Sequence, residues 1–134
     1  MSNKNNEITL RKLPPKSKTW IESDGEVVFG AGRAALFQAI EETGSIRQAA
    51  NKLGMSYRAA WGKIKATEER LGIKLVEKHA GGHQSGATLT PQAKKLMDLF
   101  QQFKRDSEAS IDKLFMQYFR KSIIFVEDAL SFTN

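Results

Sequence analysis

Residues 57–65, YRAAWGKIK, set two aromatic rings and three cations around one glycine. A guanidinium at position 58 and an ammonium at 65 supply charged donors for phosphate oxygens or for the acceptors on guanine. Tyr57 can hydrogen-bond a phosphate or pack on a base methyl. These residue types recognise; they do not break bonds. At 100° per residue, Ala60, Ile64, Thr67 and Leu71 form an inward stripe, and Tyr57, Arg58, Trp61, Gly62 and Lys65 fall on another side. Glycine inside a helix costs about 1 kcal/mol relative to alanine, so Gly62 suggests that something approaches the backbone there. Two readings of Trp61 stay open: a base contact, or a packing residue wedged against the preceding helix. Lys63 and Arg70 read as solvated, with Arg70 able to pair with a nearby glutamate.

The charge follows the same region. Residues 44–95 hold ten Lys/Arg and three Asp/Glu, whereas the rest of the 134 residues hold eleven and twelve. The whole excess of +6 therefore lies in the middle of the chain. Such local basicity draws a polyanion, most often nucleic acid. A solvated basic face without a partner is the plainer alternative. Cysteine is absent, which removes disulfides and thiolate ligands. No apolar run reaches the length of a membrane span. The N-terminus lacks a signal-like segment, so a cytoplasmic location without membrane contact is expected.

These residues need elements to carry them. Residues 1–17 are polar, contain Pro14-Pro15, and read as a flexible arm. A hairpin is expected over 18–29, because Asp24-Gly25 is a strong two-residue turn signal. The spacing of Leu36, Phe37 and Ile40 predicts a helix over 31–43, ended by Gly44. Ser45 is an N-cap for a helix over 45–53 with Ile46, Ala49, Ala50 and Leu53 inward. Gly54 turns the chain, and Ser56 caps a third helix over 56–71. A hairpin with a Gly-rich tip follows over 74–89. Pro91 opens a long helix over 91–120 with Leu96, Phe100, Phe103, Ile111, Leu114 and Tyr118 in one stripe. Residues 121–134 form a tail of unassigned role. The fold class expected is mainly α with small β hairpins: a winged helix-turn-helix over 18–90, followed by a long helix suited to dimerisation. In such a fold the third helix enters the major groove. His83, Gln84 and Ser85, at the tip of the wing, could reach the adjacent minor groove.

The sequence resembles the ModE family of molybdate-responsive transcription regulators. The likeness rests on LFQAIEETGSIRQAANKLGMSYRAAWGKI, on LVEKHAGGHQSGATLT and on WIESDGEVVFG, and covers about residues 18–105. It implies a LysR-like winged helix-turn-helix. It puts Ser45, Arg47 and Gln48 against phosphates, puts Ser56, Tyr57, Arg58, Trp61 and Lys65 on the recognition helix, and makes the long helix a homodimer contact, although its stripe could instead pack only onto its own domain. A dimer implies a palindromic operator on double-stranded DNA. Full-length relatives add an oxyanion-binding module that holds molybdate, and the roughly 30 residues after the resemblance are too few for it. No cofactor is expected, and molybdate enters by resemblance alone. Two other functions compete. One is a protein-interaction module on the same scaffold, with no sequence-specific DNA site. The other is a small metal protein or enzyme built on His79 and His83, which lack the convergent ligands a zinc site needs. No enzymatic activity is expected.

Overall fold

The computed structural model describes residues 13–80 and 86–120. A hairpin of β1 (Ile21–Ser23) and β2 (Glu26–Phe29) leads into α1 (Ala31–Thr43), α2 (Ile46–Lys52) and α3 (Tyr57–Leu71). A second hairpin of β3 (Val76–His79) and β4 (Gly86–Leu89) precedes α4 (Pro91–Phe115), which runs into a π-helical turn at Met116–Arg120. The described chain is thus mainly helical with two separate antiparallel strand pairs, the architecture the sequence predicts. Residues Thr19–Gln102 make one compact unit, and the described residues on either side of it belong to a second. No described helix is long and apolar enough to cross a membrane.

Local chemistry sets the joints. In the first hairpin Asp24 and Gly25 both take positive φ, 51° and 79°, the turn whose twist matches paired strands. The side chains of Ser45 and Ser56 accept hydrogen bonds from the amides of Gln48 (3.1 Å) and Ala59 (3.0 Å), so both act as N-caps. Between α2 and α3, Gly54 sits at φ 70°, a conformation that costs other residues a Cβ clash. There its amide meets the carbonyl of Asn51 at 3.1 Å, and the Met55 amide that of Ala50 at 3.0 Å. Thr90 joins the second hairpin to α4. Its hydroxyl accepts from the Ala93 amide at 3.2 Å and donates to the Lys74 carbonyl at 2.8 Å. Pro91 then takes the first helical position, where its missing N–H costs nothing.

The core of the winged unit lies between α1, α2, the inner side of α3, both hairpins and the start of α4. Phe29 stacks on Phe37 with centroids 5.6 Å apart and meets the edge of Phe100 at 5.2 Å. That contact corrects one expectation. Phe100 is only 2% exposed and belongs to the core of its own domain, so it is not a residue of a dimer face. Leu96 likewise packs, half-buried, against this core. Further along, Phe103 (48%), Leu114 (49%) and Tyr118 are exposed, and Ile111 is half-buried. Leu53 and Leu71, expected inward, are also exposed. Leu71 is the last residue of α3 and Leu53 the cap just past α2, so both stand where a helix ends.

Two polar anchors fix α3. The Thr67 hydroxyl is buried, donates to the Val28 carbonyl at 3.1 Å and accepts from Arg33 Nε at 2.8 Å. Arg70, rather than pointing into solvent, donates to the Val27 carbonyl and reaches Glu26 at 3.3 Å. Both ties run to β2, so the first hairpin acts as a brace for the C-terminal half of α3.

Candidate nucleic-acid interface

The outward face of α3 carries Arg58, one turn ahead of Gly62, with Tyr57 and Trp61 along one flank. Arg58 and Lys65 are exposed, whereas Tyr57 and Trp61 are half-buried and pack against the core. Arg58 makes no hydrogen bond or ion pair with the described residues. A Cβ built on Gly62 would meet no atom within 4 Å. Among the described residues nothing therefore requires glycine at this point of the helix. Gly62→Ala is expected to stabilise the free protein by about 1 kcal/mol, read from the midpoint of urea unfolding, while weakening any complex in which a backbone closes on this face.

Cations and rings alternate across three elements. The Arg47 guanidinium, from α2, lies 4.8 Å from the centre of the Tyr57 ring. Lys78, from β3, donates to the Tyr57 hydroxyl at 2.8 Å and places its ammonium 4.7 Å from the Trp61 ring centre. Lys65 approaches the same indole at 4.9 Å. Such contacts hold long side chains in fixed directions at exposed sites for about 0.5–1 kcal/mol each. The geometry favours the packing role of Trp61 over the base contact: its ring is half-buried and two ammonium groups lie against it. Lys65 is drawn inward as well, 3.4 Å from Glu68. Gln48 stands exposed beside Arg47 on α2. Ser45 and Ser56 lend their oxygens to the helix starts and leave their hydroxyl protons to donate outward.

The wing is fixed at its root. The Ala87 amide donates to the Gly44 carbonyl at 2.8 Å, and a Cβ on Gly86 would sit 2.7 Å from that oxygen. Glu68, only 8% exposed, accepts from the amides of Leu75 (2.8 Å) and Val76 (3.1 Å). Burial works against its charge, but the two amides and Lys65 outweigh it and hold the carboxyl below its usual range. Neither Lys78 nor Glu68 stands out in the sequence. His83, Gln84 and Ser85 lie outside the described residues. His79 Nε2 is 2.8 Å from the Thr88 hydroxyl oxygen across the hairpin.

Two helices joined at Gly54, backed by a third and followed by a strand pair, define a winged helix-turn-helix. Residues 32–94 match the model of the bacterial regulatory helix-turn-helix proteins of the lysR family. Over 96 residues, 71% of its length, the chain is 40% identical to the molybdenum-pterin-binding protein MopB of Rhodobacter capsulatus. It is 30% identical over 95 residues to the molybdenum transport protein ModE of Azotobacter vinelandii. The chain spans about a third of the length of these relatives, 34% and 35%. The resemblance read in the sequence is thus met by relatives bearing the ModE name. A crystal structure of the BenM DNA-binding domain with benA site 1 DNA superposes with a TM-score of 0.50 at 21% identity, covering 64% of this chain and 95% of that one. That likeness concerns the fold.

Proposed function

We propose that this protein is a transcription regulator that binds double-stranded DNA without covalent chemistry. The observation that carries the reading is the outer face of α3, where Arg58, unpaired among the described residues, stands beside a helix glycine that none of the described residues covers. A major groove about 12 Å wide accepts such a helix. Arg58 would address base edges. Arg47, Gln48 and Ser45, on the crossing helix, would address phosphates and fix the register. The names of the relatives, which include regulators called ModE, support the same reading.

The protein acts as a homodimer in this proposal, with the exposed stripe of Phe103, Leu114 and Tyr118 covered by a second copy. Two-fold symmetry then calls for a palindromic operator with half-sites one helical turn or a multiple apart. No bound cofactor is part of this proposal.

Selection of a tight-binding duplex from a random pool, followed by titration of Arg58→Ala, tests the reading. The variant should lose about 1–3 kcal/mol on the selected site and much less on mixed-sequence duplex. An equal loss on both would remove Arg58 from base recognition. Failure of the wild-type chain to shift any duplex at low salt would favour a protein-interaction module instead.

A further inference from the structure

A cleft of about 170 Å³ opens where the starts of α2 and α3 meet the wing, lined by Ser45, Arg47, Tyr57, Lys78 and Gly86 among others. Three of its polar side chains, Arg47, Tyr57 and Lys78, present donors. The Lys78 ammonium donates to the Tyr57 oxygen at 2.8 Å, which occupies that oxygen as an acceptor and leaves the phenolic proton to be given elsewhere. The adjacent positive charge polarises that O–H and strengthens it as a donor. The Arg47 guanidinium lies over the same ring at 4.8 Å, with Lys78 at 5.5 Å. Two cations thus gather on one phenol, and among the described residues neither is paired with a carboxylate. His79 is engaged with Thr88.

A mouth made of guanidinium, ammonium and phenolic O–H donors asks for a ligand made only of acceptors and carrying negative charge. A guanine edge offers acceptors but no net charge, and the other base edges include a donor or a methyl, while a phosphate group combines acceptors alone with a full negative charge. We propose that the cleft seats one phosphate, a phosphodiester of the DNA backbone, held by Arg47, Tyr57 and Lys78. This rests on the DNA-binding reading above and goes beyond it by giving Lys78, a wing-strand residue, two tasks. It binds the phosphate, and it positions the Tyr57 hydroxyl. Because Lys78 also lies against Trp61, the seat ties the wing to the flank of the recognition helix.

The test uses the full chain and a mixed-sequence duplex titrated across salt concentrations. Lys78→Met should weaken binding by about tenfold at low salt, and should lower the slope of log affinity against log salt by about one. The loss should be the same for every duplex sequence. Tyr57→Phe keeps the ring beneath Arg47 and should weaken binding in wild type, but add little once Lys78 is methionine. Lys78→Arg should restore the slope. A purely structural lysine would leave the slope untouched, so an unchanged slope in a folded Lys78→Met protein overturns the proposal. Inorganic phosphate, compared with chloride at matched ionic strength, separates the two sources of the anion. Displacement of duplex no better than by chloride supports the phosphodiester. A saturable shift of the Tyr57 ring resonances by inorganic phosphate, lost in Lys78→Met while the salt slope stays at its wild-type value, overturns it in favour of a free anion. If wild type binds no duplex at all, the DNA reading fails and the phosphodiester with it; if it binds duplex but Lys78→Met changes nothing, only the seat fails.

Discussion

Phe100→Ala is expected to cost the winged unit about 3–5 kcal/mol, the largest loss of any single change considered. The ring is almost fully buried and closes a three-ring cluster with Phe29 and Phe37, which come from β2 and α1. Phe100 abuts Phe29, which in turn stacks on Phe37, so its loss opens a cavity within a packed core of interlocked rings. Urea unfolding followed by circular dichroism reads the loss directly; a change under about 1 kcal/mol would show that the cluster relaxes into the cavity. Phe103→Asp, three residues further along the same helix, should behave in the opposite way. Phe103 is about half exposed, so folding should shift by no more than about 0.5 kcal/mol. Sedimentation should instead show the monomer mass, and an unchanged dimer would remove the stripe from the proposed pairing.

Glu68→Ala should cost about 3 kcal/mol near neutral pH, since two charge-assisted hydrogen bonds are lost and the buried amides of Leu75 and Val76 are left without acceptors. The loss depends on pH in a definite direction. The carboxyl of Glu68 is held below the value of 4.5 that it has when free, so the folded protein binds its proton less readily than the unfolded chain. Its ionic contribution is therefore complete above pH 4.5 and fades as the pH falls through that value and then through the lower folded value. Wild type and variant should converge in stability on acidification and stay apart at neutral pH. Parallel stability curves through this acid range would show that the carboxylate charge is not what holds the root of the wing.

What could be read in the sequence was local. Asp24-Gly25, Ser45, Gly54, Ser56 and Pro91 act on their immediate neighbours, and each does in the structure what its own chemistry dictates. The long stripe from Leu96 to Tyr118 shows where such reading stops. Periodicity identifies the face of a helix, but not the turn at which the neighbouring layer ends, and here Phe100 is buried while Phe103 is not. Glu68 and Lys78 were missed for a related reason. An acid on a basic helix and a lysine on a hairpin look like ordinary solvated charges, and only the third dimension brings them to the wing-root amides and the Tyr57 hydroxyl. Arg70 does pair with a glutamate, Glu26, but the carbonyl it also holds lies 43 positions earlier in the chain and could not be read.

The hydrogen bond from Ala87 to the Gly44 carbonyl makes one peptide oxygen the gauge between the reading helices and the strand beside them. Their separation is set at the base of the wing. One residue inserted at Gly44 would disturb both at once.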